Sequence, residues 1–304
     1  MSSIRFKNLV VYKFTQPFEL NGIQLEEKLQ EKRFRPCGSQ DFCTYGWVPA
    51  LGRKAKALVH EAAGALLVCA MREEKILPAS VINDALEEKI EQIEQEQDRQ
   101  VFSKERMALK EDVTMELLPK AFTKEKATLA YIDVTNGWIL VNAASFRQAE
   151  ELTSCLRECL GSLPVISVPL KNMPAFKMTE WLRTHDLPKG FRLGHTCQLR
   201  EPGDEGGTII ARNEEMASDA IRGALEEGKN ASQLALDWKE TISFKLGDDF
   251  RMTGLKFSEE YTTQLDDIEA DTLEQQLDAD FHLMVGTLRK LLDDVITGLG
   301  GLSE

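Results

Sequence analysis

The stretch REEKILPASVINDALEEKIEQIEQEQDRQVFSKERMALKEDVTMELLPKAFTKEK, residues 72–126, is the most strongly patterned part of the chain. Its apolar residues recur every three or four positions, at Ile82, Leu86, Ile90 and Ile93 and again at Leu109, Val113 and Leu117. This spacing places them on one stripe of an α-helix. Pro119 should end the second helix, because the residue before a proline avoids the α region. The pattern predicts an arm of two charged helices over residues 79–118.

Two residues beside these stripes bear on how the arm is built and used. Ser103 follows the break between the stripes and is the predicted N-cap of the second helix. Phe122 lies just beyond the arm, between Lys120 and Lys124. Two interpretations of Phe122 remain open: it contacts another surface, or it begins the next segment of the core.

The composition is typical of a soluble globular protein, with 42% hydrophobic and 29% charged residues. A length of 304 residues predicts one or two domains. No apolar run reaches the roughly 18 residues that a membrane span needs, and residues 1–14 lack the layout of a signal peptide. We therefore expect a cytoplasmic location, in which the six scattered cysteines are buried or free thiols.

The net charge of −13 is concentrated in two segments. Residues 79–118 carry 11 acidic and 5 basic side chains, and residues 266–304 carry 10 acidic and 2 basic ones. The rest of the chain therefore has a net charge of about +1. Local clusters, more than total charge, decide what a surface binds, so the acidic total is compatible with a basic face.

Apolar alternation and short apolar runs predict strands between helices along the whole chain. The strands are predicted over residues 7–14, 65–71, 128–134, 138–143, 165–169, 191–199 and 208–212. In the tail, one helical face is predicted to comprise Phe281, Met284, Leu288, Leu291, Leu292 and Val295. Residues 42–57 are predicted as loop. The element order predicts an α+β fold with mixed sheets in two regions, 1–170 (with the arm) and 171–304 (ending in long helices).

The strongest hairpin signal is Asn136–Gly137, between two of these predicted strands. Both residue types accept positive φ angles, which a type I′ turn requires at its two central positions. The sequence therefore predicts a two-residue hairpin turn here.

Patterns for catalysis and metal binding are weak in this chain. No P-loop and no G-x-S-x-G motif occurs, and Cys37 has no evident base beside it. Cys155 and Cys159 are spaced as on one helical face but lack a second pair of zinc ligands, which favours core thiols. The chain is therefore predicted to be no enzyme and to need no cofactor.

Basic residues with interleaved aromatics form three short clusters. They comprise Lys32, Arg33, Phe34 and Arg35; Arg53, Lys54 and Lys56; and Lys120, Phe122, Lys124 and Lys126. Such clusters suit contacts to phosphates, which neutralise backbone charge without reading base sequence. Ordinary solvated surface is the alternative explanation for short basic runs.

Ten motifs occur in one order along the chain: FKNL (6–9), PCGSQD (36–41), GWVP (46–49), EEKILP (73–78), LLPKAF (117–122), GSLPV (161–165), TEWLR (179–183), LALDW (234–238), LKF (255–257) and DADF (278–281). In this combination the chain resembles the RdgC family, the recombination-associated bacterial proteins. The resemblance covers essentially the whole chain.

The resemblance implies a non-enzymatic, nucleoid-associated protein that binds double-stranded and single-stranded DNA without sequence preference. It implies horseshoe-shaped protomers that close head-to-head and tail-to-tail into a ring dimer with a basic inner surface. It further implies limitation of the RecA recombinase and a role in replication-fork repair. On this basis the residues predicted to contact DNA are Lys32, Arg33, Arg35, Arg53, Lys54, Lys75, Lys120 and Arg212.

The motif LLPKAF places Phe122 at the position of a phenylalanine that packs into the partner in the family, so the resemblance predicts a dimer-interface residue. The chain departs from the family pattern after the strand at 208–212. Asn213 and Glu214 stand where the family offers a Lys-Gln pair, which leaves Arg212 as the nearby base.

Two other classes of function remain open. One is a protein-interaction adaptor whose acidic arm and tail bind a basic partner. The other is a metal-dependent nuclease using Asp248 and Asp249, or Asp266 and Asp267, because adjacent carboxylates can coordinate Mg²⁺. Partner capture without DNA would favour the adaptor, and Mg²⁺-stimulated cleavage would favour the nuclease.

Overall fold

A computed structural model describes residues 4–52, 55–203, 206–266 and 272–303 of the chain. The chain divides into two compact units. The first comprises Met1–Leu29, Pro49–Cys69 and Thr128–Glu304, and the second comprises Gln30–Val48 and Ala70–Ala127. The division into sequential regions 1–170 and 171–304 stays a prediction.

The described residues form twelve β-strands and eight α-helices. The strands are β1 (Asn8–Phe14), β2 (Cys43–Val48), β3 (Val59–Ala62), β4 (Ala65–Ile76), β5 (Phe122–Asp133), β6 (Trp138–Val141), β7 (Val165–Ser167), β8 (Phe191–Arg200), β9 (Thr208–Arg212), β10 (Asn230–Trp238), β11 (Ile242–Gly247) and β12 (Met252–Phe257). The helices are α1 (Gly22–Gln30), α2 (Ala79–Gln97), α3 (Ser103–Leu117), α4 (Phe146–Leu160), α5 (Pro174–Thr184), α6 (Asp219–Glu226), α7 (Glu259–Asp266) and α8 (Leu273–Gly298). The predicted mixture of strands and helices is confirmed.

The first unit is built on a large open antiparallel sheet. Its strands follow the order β4-β5-β6-β1-β12-β11-β10-β8-β9, with β3 beside β4 and β7 beside β1. Register pairs such as Val10 with Val141 and Leu234 with Leu246 are antiparallel. In the second unit β2 lies beside β4 and β4 beside β5; β4 and β5 each contribute residues to both units.

Helix α8 supplies the largest apolar stripe of the first unit's core. The residues predicted to form its apolar face are all buried: Phe281, Met284, Leu288, Leu291, Leu292 and Val295. The helix begins where a capping box satisfies two backbone N–H groups: Gln275 N donates to Thr272 Oγ1, and Thr272 N donates to Gln275 Oε1. None of the described helices is both long and apolar enough to span a membrane.

One carboxylate on the buried side of α8 should make stability depend on pH. Asp280 is 7% exposed, and Arg5 Nε lies 3.4 Å from its carboxylate oxygens. Burial raises the pKa of Asp280 above its usual value, and the Arg5 charge offsets this only in part. The pKa of Asp280 is therefore higher in the folded state than in the unfolded state, where it is about 4. The stability that Asp280 contributes is fully present below the unfolded-state pKa. It is lost as the pH rises through the folded-state pKa.

We therefore expect Asp280→Asn to change the pH dependence of unfolding. Asparagine keeps the shape of the side chain and does not titrate. The free energy of unfolding of the variant minus that of the original protein should increase as the pH rises from about 4 to 7. Urea unfolding at several pH values measures this difference; a difference independent of pH, or one that worsens as pH rises, would contradict the expectation.

The hairpin of β5 and β6 forms as predicted, but its turn differs. Asp133 pairs with Trp138, so four residues form the loop, and in it only Gly137 has a positive φ, of 71°. The prediction of a type I′ turn is therefore wrong. The reason is Asp133, whose carboxylate accepts hydrogen bonds from Asn136 N at 3.1 Å and Nδ2 at 2.9 Å and draws the chain into a wider loop.

Helices α2 and α3 of the second unit match the predicted arm. Leu86 and Ile90 of α2 and Val113 of α3 are buried. Helix α3 ends before Pro119, and a short 3-10 turn, Leu118–Lys120, follows it, as the proline predicts. The predicted N-cap is wrong by one position, because Phe102 is the cap residue and Ser103 is already helical.

Strand β2 lies in the segment predicted as loop. Its backbone is fixed by contacts to distant parts of the chain: Trp47 N donates to Lys32 O, Phe34 N donates to Trp47 O, and Trp47 itself is fully buried. A single aromatic segment with glycine carries no clear period, so these tertiary contacts decide its conformation.

Candidate nucleic-acid interface

In the second unit, a buried carboxylate links three segments that carry predicted site residues. Glu73 of β4 accepts a hydrogen bond from Cys37 N at 2.6 Å and another from the side chain of Thr123 on β5. The Cys37 thiol donates to Glu73 O at 3.4 Å. These bonds, led by the one from Cys37 N, lower the pKa of Glu73, so a charged acceptor holds the loop after Arg35 against β4 and β5.

The predicted DNA residues of the first basic cluster are all exposed. Lys32 O accepts a backbone bond from Trp47 N, whereas Arg33 N donates to Gln30 O at 3.3 Å and Arg33 Nη1 donates to Gln30 Oε1 at 3.2 Å. Arg35 Nη1 forms an ion pair with Asp41 at 2.6 Å. The Arg35 hydrogen bond lowers the pKa of Asp41, so part of the Arg35 charge is already neutralised within the unit.

The structure brings Lys75, Lys120 and Phe122 to one place. Lys75 is half-buried on β4, and its Nζ donates to Ala121 O at 3.5 Å, between the other two residues. Lys120 is exposed, and Phe122, the first residue of β5, is 84% exposed. Phe122 is therefore no part of the protomer's core, contrary to one of the two interpretations of the sequence.

The remaining predicted residues lie elsewhere or are not described. Arg53 and Lys54 fall outside the described residues. Arg212 is the exposed last residue of β9 in the first unit, opposite Thr196 of β8. Asn213 then adopts φ of 54°, and Glu214 N donates to His195 O at 3.3 Å, so the residues that depart from the family pattern form a turn back onto β8.

Several exposed bases on the strands of the first unit were not predicted from the sequence, among them Arg200 on β8, Lys245 on β11 and Lys256 on β12. They form no basic run, because strand alternation separates each from the next base in the chain. The alternation of LALDWKETISFKL predicts which side chains share a face, and that signal would have found Lys245.

The nuclease alternative takes Asp248 and Asp249, or Asp266 and Asp267, as metal ligands. Asp248 and Asp249 border a polar hollow of about 270 Å³ together with Arg200 and Arg251. Asp249 Oδ2 forms an ion pair with Arg251 Nε at 2.6 Å. Among the described residues, no group of three or more His, Cys, Asp or Glu side chains is placed to hold a metal ion. The side chain of Asp266 and all of Asp267 lie outside the described part of the chain.

Three cysteines were considered as metal ligands or as a nucleophile. Cys155 and Cys159 are buried on α4, and Cys37 is half-buried. Burial of Cys155 and Cys159 confirms the prediction of core thiols for that pair.

Known proteins resemble this chain over nearly its whole length. Residues 4–302 match the family model described as "Putative exonuclease, RdgC". The chain is 44% identical over 296 residues to "Recombination-associated protein RdgC" of Aeromonas hydrophila, which covers 97% of this chain and 98% of that protein. It is 42% identical over 296 residues to the protein of the same name from Tolumonas auensis, with the same coverage, and 41% identical over 299 residues to that of Salmonella typhimurium, with 98% of this chain and 99% of that protein covered. The chain belongs to the RdgC family.

Proposed function

We propose that this protein acts in recombination as a sequence-nonspecific DNA-binding protein. Relatives that are 41–44% identical over nearly their full lengths are named recombination-associated proteins, which supports a role in recombination. In this proposal it is a ring-shaped homodimer that encircles DNA, associates with the nucleoid and restricts access of the RecA recombinase. It is proposed to act also in replication-fork repair.

The observation that carries the proposal is the exposure of Phe122. A phenylalanine 84% exposed at the start of a strand leaves a large apolar area in water, which is unfavourable unless a partner covers it. The hydrogen bond from Lys75 Nζ to Ala121 O holds the backbone immediately before Phe122. Such a fixed aromatic residue suits the centre of a contact between two copies of the chain, as the motif LLPKAF implies.

The bases placed in this second unit suit contacts to DNA backbone. Lys32, Arg33, Lys75 and Lys120 are proposed to contact phosphates, as is Arg212 of the first unit. Arg35 would first have to exchange its Asp41 partner for phosphate, so we propose it as a weaker contributor. Phosphate contacts carry no base information, which accounts for binding without sequence preference.

The expected result for DNA binding is a steep dependence on salt. The logarithm of the association constant should fall linearly with the logarithm of salt concentration, with a slope of about −0.9 for each phosphate contact on duplex DNA. Duplexes of equal length and unrelated sequence should give the same line. Fluorescence anisotropy with labelled duplexes at several salt concentrations measures both.

The same titration separates the alternatives. A slope near zero, or a marked preference for one sequence, would contradict nonspecific backbone binding. Incubation of labelled DNA with the protein and Mg²⁺ tests the exonuclease activity named in the family description. Shortening of the DNA that disappears with EDTA would overturn the proposal of a non-enzymatic protein.

A further inference from the structure

The strands β8 to β12 of the first unit have one buried face and one face open to solvent. Their inward residues join α8 in the core: Cys197, Leu199, Leu234, Leu236, Phe244, Leu246 and Met252. The outward residues are half-buried or exposed: Thr196, Gln198, Arg200, Ile210, Arg212, Gln233, Ala235, Asp237, Ser243, Lys245, Thr253 and Lys256. We call this second set the open face.

The register shows that the outward residues form continuous rows across the strands. Gln198 stands opposite both Gln233 and Ile210, and Lys245 stands opposite both Ala235 and Thr253. Neither carboxylate nor base faces Lys245 across the strands. The outward carboxylate of β10, Asp237, stands opposite Ser243 and Arg192, and Asp248 and Asp249 border the hollow at Arg200.

Four cations on the open face form no ion pair among the described residues: Arg200, Arg212, Lys245 and Lys256. The bases at its margins do form such pairs, Arg192 with Glu240 and Arg251 with Asp249. These four cations outnumber the outward carboxylate Asp237 and the bordering carboxylate Asp248, so the open face has a local excess of positive charge in a chain of net charge −13.

The spacing of these cations fits two rows of phosphates. Lys245 and Lys256 lie on the neighbouring strands β11 and β12, and Lys256 stands opposite Ser243, two residues from Lys245. Arg200 and Arg212 lie on the neighbouring strands β8 and β9, on the far side of β10. Strands lie about 4.8 Å apart, so members of the two pairs are two to four strand spacings apart, roughly 10 to 19 Å across the sheet. The major groove of B-DNA is about 12 Å wide between its backbones.

The geometry points to the open face as a surface for duplex DNA, with Lys245 and Lys256 on one phosphate backbone and Arg200 and Arg212 on the other. This assignment rests on the proposed function, because it takes DNA as the ligand. Of the four cations, only Arg212 was predicted from the sequence.

The test compares two double variants of equal charge change. Lys245→Gln with Lys256→Gln removes one pair of the open face. Lys28→Gln with Lys171→Gln removes two exposed lysines of the same unit, on α1 and after β7, and serves as the control. On duplex DNA, the slope of log association constant against log salt concentration should be about 1.8 smaller in magnitude for the first variant than for the original protein. This difference corresponds to two phosphate contacts. The control should keep the slope of the original protein.

The other outcomes of this test distinguish a wrong binding surface from a wrong function. If the original protein binds duplex DNA and the first variant keeps its slope, the open face is not the binding surface although the proposed function stands. Equal losses in both variants would also overturn the assignment. If the original protein binds no DNA, the proposed function itself fails. A single strand can follow one pair of cations alone, so its binding should change less; equal loss on single-stranded DNA would contradict contact with two backbones.

Discussion

Replacement of Phe122 by serine is expected to weaken self-association of the protein by about 30- to 1000-fold. The range corresponds to the roughly 2–4 kcal/mol that a central aromatic residue contributes to an interface. Phe122 is 84% exposed in the protomer, so its loss removes no core packing and should leave the free energy of unfolding of the protomer nearly unchanged. Sedimentation velocity over a range of protein concentrations measures the effect.

Phe102→Ser is the matched control for this experiment. Phe102 belongs to the same unit and is 73% exposed, so it presents a similar apolar area in a different place. The control should sediment as the original protein does. Equal sedimentation of the Phe122 variant and the original protein would remove Phe122 from the interface, and equal weakening by both variants would indicate nonspecific hydrophobic association.

A second large effect is expected at the ion pair between Asp133 and Arg289. Asp133 is 1% exposed and receives two hydrogen bonds from the guanidinium group, Nε to Oδ2 at 2.7 Å and Nη2 to Oδ1 at 2.8 Å. The pair joins the end of β5 to α8. Arg289→Leu leaves a buried carboxylate without its cation, which should lower the free energy of unfolding by about 3–5 kcal/mol.

Two further variants separate loss of the pair from loss of packing. Asp133→Asn together with Arg289→Leu removes the stranded charge and keeps an acceptor for the turn at Asn136, so it should recover part of the lost stability. Arg222→Leu removes an exposed ion pair with Asp219 and should cost no more than about 1 kcal/mol. Urea unfolding measures all three. A cost at Arg289 no larger than that at Arg222 would show that burial of the pair contributes little.

Periodicity in the sequence predicted the elements whose own pattern is strong. The stripes of α2, α3 and α8 and the strand β9 lie where the apolar spacing places them, because burial of one face decides both pattern and structure. Strand β2 was missed because its conformation depends on contacts with Lys32 and Phe34 from another part of the chain. The turn at Gly137 was predicted with the wrong geometry because the Asp133 side chain competes for the local backbone.

The candidate site was predicted less completely than the fold, for a related physical reason. Runs of bases are visible in the sequence, whereas Arg200, Lys245 and Lys256 become neighbours only through strand pairing. The link between Cys37, Glu73 and Thr123 joins three separate segments, so no local pattern signals it. Conversely, the sequence predicted a DNA contact for Arg35, and the structure pairs this side chain with Asp41.

Retention on DNA of different topology tests whether two protomers form a closed ring around DNA. The protein is bound at low salt to a nicked circular plasmid and to the same plasmid linearised, and each complex is then washed at a salt concentration that weakens phosphate contacts. A closed ring should stay on the circle, slide from the ends of the linear DNA, and be released from the circle by a restriction cut. Equal loss from both forms of DNA would contradict encirclement.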